Sequence, residues 1–429
     1  MKQFKDIIDL IRAKLSNSEN RDLANNTLAL TILNVFNFIL PLFTIPILLN
    51  NLGANSYGRV SVIISIYAIL DKVVDYGFDF IGTRNISIAE NQEKRNIVFS
   101  EILLCKIANA ILVIVLSLLY FILFRSDDFV LATVISSGLL GTALCMNWLF
   151  QGLKRMKVIT YITSITKVIY SILVILLIRD SGDSLLYAFL YSFITISIGV
   201  LGFLIAISRP YRLKFSRISI KSIYSSYKEG WHMFVASLCS SITTNLCTIV
   251  LSLFRGDAAV GFFSAGYKLV QALSLVFSAI PKALYPYSCV KFKESFENGK
   301  KYVYKVMKPV LLLIGVACLF LSLMSPWIFR WIYDPVYWPF YPIVIIGSAW
   351  LFFSFLNNFL GIQILVASGN SSKYRLVFTW ATIITVLALF ICICLGGEYG
   401  TIIALLLGEC SLSLLLKKQI NKTNNALQV

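Results

Sequence analysis

The chain has 429 residues, of which 58% are hydrophobic and only 14% are charged, and its formal net charge is +17. About a quarter of the residues in an ordinary soluble protein are charged, so this composition excludes a water-soluble fold of this size. The apolar residues form twelve stretches, most of them near the length of about 20 residues that a membrane-spanning helix needs. The sequence therefore predicts an all-α integral membrane protein with twelve transmembrane helices.

The basic residues are concentrated in every second gap between the apolar stretches. Of the 38 Lys and Arg residues, 28 lie in the amino-terminal segment, in the carboxyl-terminal tail and in the gaps that follow spans two, four, six, eight and ten. Loops rich in Lys and Arg stay in the cytoplasm, so both termini are predicted to be cytoplasmic. This one-sided charge favours membrane lipids with anionic headgroups as the partner and argues against nucleic acid.

The chain divides into five predicted regions. Residues 1–25 are expected to form a cytoplasmic amphipathic segment, with Ile7, Ile8, Leu10, Ile11 and Leu15 on its apolar side. Spans one to six occupy residues 26–207, and spans seven to twelve occupy residues 230–417. Between them lies a basic cytoplasmic linker, residues 208–229, and a cytoplasmic tail follows at 418–429.

A short glycine pattern occurs at the same place in each half. Residues Gly53 to Gly58 open span two, and Gly256 to Gly261 open span eight. This echo favours two homologous six-helix halves that enter the membrane in the same sense. The alternative is coincidence, because short turns between spans often carry glycine pairs.

Two prolines, Pro41 and Pro46, lie inside span one. Proline removes a backbone donor, and membrane helices tolerate it near cavities or moving parts, so these residues are candidate hinges. The alternative is that proline is simply commoner in membrane helices than in soluble ones.

Span two carries three carboxylates, Asp71, Asp75 and Asp79, at four-residue intervals. This spacing predicts that they share one helical face, where at least one of them must hold a proton, pair with a lysine or bind a cation. They are candidates for ion coupling, and Asp71 is expected to be the buried one. The alternative for Asp79 is a solvated position at the inner interface.

Five lysines lie within the apolar stretches, and ionisable residues there are by default functional candidates. They are Lys72, Lys106, Lys167, Lys268 and Lys282. The side chain of Lys282 can reach the interface along its own stem. Lys106, Lys167 and Lys268 are too deep to do so and are predicted to face an aqueous cavity. All five lysines are candidate cavity cations that attract an anion such as a diphosphate; the alternative is a structural salt bridge with the carboxylates.

No motif in the sequence indicates a cofactor. The nine cysteines form no CxxC pattern, and the single histidine, His232, does not form a metal site with them. The Gly53–Gly58 spacing resembles a phosphate-binding loop, but Arg59 and Val60 follow where that motif needs Lys and Ser or Thr. We therefore expect neither a metal site nor ATP hydrolysis, and no enzymatic activity.

Three stretches of the chain form a recognisable set of motifs. The strongest is Asp75-Tyr76-Gly77-Phe78 followed by Thr83-Arg84, and the two later ones are Trp148 to Gly152 and Lys228 to Trp231. Together these motifs resemble the Wzx-type flippases of polysaccharide biosynthesis, and the similarity extends in order along the whole chain.

This resemblance implies the fold of the multidrug and polysaccharide exporter (MATE-like) superfamily, with two six-helix lobes around a central cavity. It implies transport of an undecaprenyl-diphosphate-linked oligosaccharide, such as an O-antigen repeat unit, from the inner to the outer leaflet of the bacterial inner membrane by alternating access, coupled to H⁺ or Na⁺. A polysaccharide polymerase and a chain-length regulator are the protein partners it suggests. For Asp75, Gly77 and Arg84 it implies a conformational role.

Other functions remain open from the sequence. A cation-coupled exporter of drugs or other small molecules has the same fold, although the lysines within the spans disfavour it. A membrane-embedded polymerase or ligase usually needs a large external loop, and the outer gaps here are short. A structural scaffold does not require five lysines in hydrocarbon.

Overall fold

The computed structural model describes residues 18–216 and 218–426, with side chains described from 40 to 424 except at 42, 217, 279, 282, 283 and 286. The apolar residues of the predicted amphipathic segment, Ile7 to Leu15, lie outside this range.

All regular structure within the described residues is helical. The α-helices are α1 (Ser18–Asp75), α2 (Phe78–Ile88), α3 (Gln92–Phe124), α4 (Phe129–Leu144), α5 (Asn147–Gly152), α6 (Met156–Leu177), α7 (Ser184–Ile207), α8 (Ile220–Arg255), α9 (Asp257–Phe277), α10 (Ala279–Glu294), α11 (Phe296–Ile332), α12 (Pro342–Asn358) and α13 (Ser371–Ala426). A π-helix, Phe359–Val366, follows α12. Short 3₁₀ turns lie at Ser126–Asp128, Ser181–Asp183 and Pro335–Phe340.

Nine helical segments within the described residues are long and apolar enough to cross a membrane. Two of the longest helices are interrupted by glycines with non-helical backbone angles. These are Gly53 in α1, with φ 73° and ψ 164°, and Gly397 in α13, with φ 52° and ψ −123°. Glycine adopts positive φ without the steric cost that a Cβ brings, so each long helix can change direction at this residue.

The two glycine-containing turns seen in the sequence have the same backbone geometry. Gly256 has φ 83° and ψ 171°, close to the values at Gly53. Each turn also packs on the other: a Cβ on Gly58 would lie 1.8 Å from the carbonyl oxygen of Asp257, and a Cβ on Gly261 would lie 2.2 Å from that of Ala54. The second glycine of each pattern is therefore required by a close backbone contact, as in other small-residue helix crossings.

Contacts divide the chain into two compact units. The first contains the described residues up to Leu40, Tyr67–Val174 and Leu185–Ser240. Its core includes Phe78, Phe99, Trp148 and Phe150. The second contains Pro41–Ile66, Ile175–Ser184 and the described residues from Ser241 onward, with a core that includes Val62, Cys247, Phe263 and Ile402.

The predicted linker is attached to α3 of the first unit. The Asn96 carboxamide oxygen accepts a hydrogen bond from the backbone N–H of Lys214 (3.1 Å), and the Ser100 hydroxyl accepts one from that of Ser216 (2.8 Å). Its later part is helical, because α8 begins at Ile220 and continues to Arg255.

Candidate functional site

The motif Asp75-Tyr76-Gly77-Phe78 forms a break between two helices. The first helix ends at Asp75 and the next begins at Phe78, while Tyr76 (φ 47°) and Gly77 (φ 77°) adopt left-handed backbone angles. The backbone N–H of Asp79 donates to the Asp75 carboxylate across 3.3 Å, so Asp75 satisfies a backbone donor in the first turn of α2. The prediction of one continuous face for Asp71, Asp75 and Asp79 is wrong, because the helix does not continue past Asp75.

The break brings two carboxylates onto one buried ammonium group. The Nζ atom of Lys106, on α3, lies 3.0 Å from Oδ1 of Asp75 and 2.6 Å from Oδ1 of Asp79. The Lys106 side chain is 1% exposed, that of Asp75 13% and that of Asp79 43%. Two carboxylates therefore share one ammonium group, and Asp79 is the more exposed of the two. For Lys106, this geometry is the salt-bridge alternative that the sequence left open.

The third aspartate has a different partner. Lys72 Nζ lies 2.9 Å from Asp71 Oδ2, and the Asp71 side chain is 26% exposed. The expectation that Asp71 is the buried member of the three is wrong, since Asp75 is covered more completely. Asp75 is covered because it ends its helix beside α3, whereas Asp71 pairs with its neighbour along the chain.

Two of the motif stretches pack against each other. A Cβ on Gly77 would lie 2.9 Å from Cβ of Met233 and 3.0 Å from the carbonyl oxygen of Gly230 on α8. The ring of Tyr76 stacks on that of Phe234, with ring centroids 4.5 Å apart. Gly77 is therefore needed both for its backbone angle and for the close approach of α8.

Arg84 joins α2 to the same helix. Its guanidinium lies 3.6 Å from the Glu229 carboxylate, and both side chains are exposed. An exposed pair of this length contributes little stability on average, about 0–1 kcal/mol. The conformational role suggested for Arg84 stays a prediction.

The remaining lysines lie in both units. Lys167 is half-buried on α6 in the first unit, and Lys268 is half-buried on α9 in the second. Lys268 has no acidic group within 4.0 Å among the side chains that the structure describes. The Lys282 side chain lies outside the described set. Their role in binding substrate stays a prediction.

The helix α1 continues through Pro41 and Pro46 and is interrupted later, at Gly53. Pro46 is buried and Pro41 is half-buried. The hinge role of the two prolines stays a prediction.

The sequence interpretation overlooked Glu101, a buried carboxylate in span three. The Ser222 hydroxyl donates to Glu101 Oε2 across 2.5 Å, and the Ser226 hydroxyl donates to Oε1. The next residue of α8 is Tyr227, whose hydroxyl donates to the Asn109 carboxamide oxygen (2.7 Å). These bonds attach the first turns of α8 to α3.

A second overlooked carboxylate, Glu409, lies in the second unit. The Asn357 amide nitrogen donates to Glu409 Oε2 across 2.6 Å. Glu101 and Glu409 both lie within apolar stretches, so the rule that selected the lysines also selects them.

The comparisons with known proteins agree with the motif resemblance. The family model "Polysaccharide biosynthesis protein" matches residues 23–292. A "Putative O-antigen transporter" from Escherichia coli (strain K12) is 23% identical over 403 residues, which are 93% of this chain and 97% of that protein.

Two solved structures show the fold. An inward-facing multidrug resistance MATE family transporter of the MOP superfamily superimposes with a TM-score of 0.73 at 15% identity, over 93% of this chain and 99% of that one. The lipid II flippase MurJ, in an inward closed conformation, gives a TM-score of 0.70 at 16% identity, over 91% and 87%. The described helices therefore adopt a MATE-like fold. The family model matches well over half of the chain, so the chain belongs to the polysaccharide biosynthesis protein family.

Proposed function

We propose that the chain is a flippase for a lipid-linked oligosaccharide. It moves an undecaprenyl-diphosphate-linked repeat unit, such as that of O-antigen, from the cytoplasmic to the periplasmic leaflet of the bacterial inner membrane. The observation that carries this proposal is the similarity to a "Putative O-antigen transporter" along nearly the whole chain, within a family of polysaccharide biosynthesis.

The substrate requires a protein path because its two ends have opposite solubility. Each sugar hydroxyl and phosphate loses its hydrogen bonds to water in hydrocarbon, which costs several kcal/mol per group, about 2–7 for a neutral one. The lipid tail can stay in the bilayer throughout. An alternating-access cycle, in which the head group is exposed first to one leaflet and then to the other, satisfies both ends.

The proposed topology has twelve spans with both termini in the cytoplasm. Two observations support this number: the interruption at Gly397 divides one of the nine apolar segments of the described residues into two, and the interruption at Gly53 divides α1, which is not among those nine, into two more. The alternating basic gaps of the sequence support the orientation.

In the proposed mechanism, cations within the spans attract the diphosphate. Lys72, Lys167 and Lys268 are the candidates with described side chains, and Lys282 is a further one. Lys106 is held by Asp75 and Asp79, so an ion that neutralises one of these carboxylates weakens its hold on the ammonium group and makes Lys106 available to the substrate. An inward-moving H⁺ or Na⁺ supplies about 2.3 kcal/mol per 100 mV.

A reconstituted system tests the activity. The purified protein is placed in liposomes with a fluorescent undecaprenyl-diphosphate oligosaccharide, and the sugar that an added glycosidase can cleave is measured over time. We expect the protected fraction to become accessible only in vesicles that contain the protein. Equal accessibility in protein-free vesicles, or efflux of cationic dyes without movement of the sugar, contradicts the proposal.

Lysine variants test the path. Lys167→Ala and Lys268→Ala should each lower the flipping rate at least about tenfold, the effect of about 1.4 kcal/mol in the barrier, while Lys→Arg at the same positions retains more activity. Lys291→Ala is the matched control, because Lys291 is exposed and pairs with Glu294 outside the spans. Unchanged flipping in both alanine variants removes these lysines from the mechanism.

Dissipation of the ion gradients tests whether substrate movement is coupled to an ion. Ionophores that dissipate the H⁺ and Na⁺ gradients together should slow accumulation of substrate in the outer leaflet. If the rate does not change, the coupling proposal is wrong, although facilitated flipping remains.

A further inference from the structure

Glu409 is a half-buried residue of the second unit, on the later segment of α13. At about 1.5 Å per residue, it lies roughly 18 Å along the helix from the break at Gly397, which is more than halfway through a bilayer core. The Asn357 amide nitrogen donates both to Glu409 Oε2 (2.6 Å) and to the Glu409 backbone carbonyl (2.8 Å). The Ser354 hydroxyl also interacts with the carboxylate. The partners of this carboxylate are therefore neutral donors on α12.

No positive charge compensates this carboxylate among the side chains that the structure describes. The ranges of α12 and the π-helix, which pack against α13, contain no titratable residue. From α9, Tyr267 interacts with Glu409, whereas Lys268 interacts with Cys247. On α13 itself, Tyr374 and Cys410 interact with it.

The nearest basic residue further along α13 is Lys417, roughly 12 Å away along the helix axis. The contrast with the first unit is direct, because there Lys106 lies within 3.0 Å of both Asp75 and Asp79. Glu409 is half-buried within an apolar stretch, and a carboxylate there with no counter-charge is disfavoured in its ionised form. Binding of a proton or another cation removes this cost.

The arrangement favours a proton over a metal ion. Metal ions such as Ca²⁺ are held by six or more oxygen ligands, and Mg²⁺ needs six in near-ideal geometry. Here the Asn357 carboxamide turns its nitrogen towards Glu409, and its oxygen already accepts a hydrogen bond from Ser413 (2.6 Å). The described residues contain no group of three His, Cys, Asp or Glu side chains that could hold a metal.

The helix that supplies Asn357 is irregular at this point. The π-helix Phe359–Val366 begins two residues later, and π-helical turns inside α-helices are frequent at functional sites. The adjacent Asn358 has a buried carboxamide oxygen with no hydrogen-bond partner in the described structure. Such an atom is uncommon and costly in a purely structural setting.

We propose that Glu409 is a proton-binding site in the second unit, which loads and releases one proton independently of the Lys106 cluster. Protonation gives the carboxyl group an O–H that Ser354 can accept, and release of the proton leaves a carboxylate that Asn357 and Ser354 stabilise. Use of this proton as the driving ion rests on the proposed flippase function, whereas the proton binding does not.

Infrared difference spectroscopy of the purified full-length protein in lipid nanodiscs tests the site without substrate. Spectra at a series of pH values report the carbonyl stretch of protonated carboxyl groups. We expect a band that titrates in the wild type to be lost in Glu409→Gln, to be retained but shifted in Glu409→Asp, and to be unchanged in Glu398→Gln on the same helix. The Asp variant keeps a carboxyl group, so it separates loss of the carboxyl group from a general effect of substitution at this position.

Two outcomes overturn the inference. One is a set of bands that is identical in the wild type and in Glu409→Gln. The other is a carboxylate band of Glu409 that responds to NaCl at constant pH, which assigns the site to Na⁺. No substrate is present in this experiment, so its failure leaves the flippase proposal untouched. Conversely, a protein in which Glu409 titrates as expected but which does not move the substrate counts against the flippase proposal alone.

Discussion

Replacement of Lys106 by methionine should destabilise the protein strongly. At an effective dielectric constant of about 20, charges 3.0 Å apart, the Lys106–Asp75 distance, attract by roughly 5.5 kcal/mol. Desolvation offsets part of this attraction, but removal of one partner leaves the other charge buried, and measured costs of such changes are about 3–5 kcal/mol. We therefore expect Lys106→Met to lower the free energy of unfolding by about 3–5 kcal/mol. Titration with sodium dodecyl sulfate in mixed micelles, followed by circular dichroism, measures this change.

The double variant Asp75→Asn/Lys106→Met separates the lost attraction from the unpaired charge. Asparagine removes the buried charge, and the remaining Asp79 is 43% exposed, so the double variant should be clearly more stable than Lys106→Met alone. The reasoning is refuted if Lys106→Met stays within about 1 kcal/mol of the wild type, or if the second substitution adds to the loss rather than reducing it.

Three further outcomes follow from close contacts and buried hydrogen bonds. Gly261→Val places a side chain where a Cβ already meets the Ala54 carbonyl at 2.2 Å, so we expect little folded protein by size-exclusion chromatography, whereas Gly396→Ala, with nothing within 4 Å, should behave as the wild type. Gly77→Ala should lower the free energy of unfolding by about 1–3 kcal/mol because of its positive φ, measured by the same detergent titration; a neutral effect contradicts the required left-handed turn. Glu101→Ala should speed hydrogen exchange in the first turns of α8, and unchanged exchange there shows that the serine hydrogen bonds do not hold this segment.

The class of protein and the places where helices turn could be predicted from the sequence. Long apolar stretches need no tertiary information to identify them, because a spanning helix satisfies all its backbone groups internally. The turns at Gly53 and Gly256 were also visible, since glycine in a short gap favours positive φ, and both residues adopt it.

The arrangement around Asp75 could not be predicted in the same way. A four-residue spacing implies a shared face only if the helix is continuous, and the break at Tyr76 and Gly77 depends on packing against α8, which lies about 150 residues later in the sequence. For the same reason the sequence does not decide whether Lys106 binds an anion in a cavity or pairs with a carboxylate. Glu101 and Glu409 are a different case. The rule for charged residues within spans already selects them from the sequence, but it does not identify the residues that they contact.

The reciprocal contact between the two glycine turns has an evolutionary consequence. Each turn places its second glycine against the backbone of the other, so neither Gly58 nor Gly261 can acquire a larger side chain without moving the opposite turn. Substitutions at the two positions should therefore be correlated across related sequences, and an insertion in one turn should be accompanied by a change in the other. At this crossing the absence of side chains is the property that selection preserves.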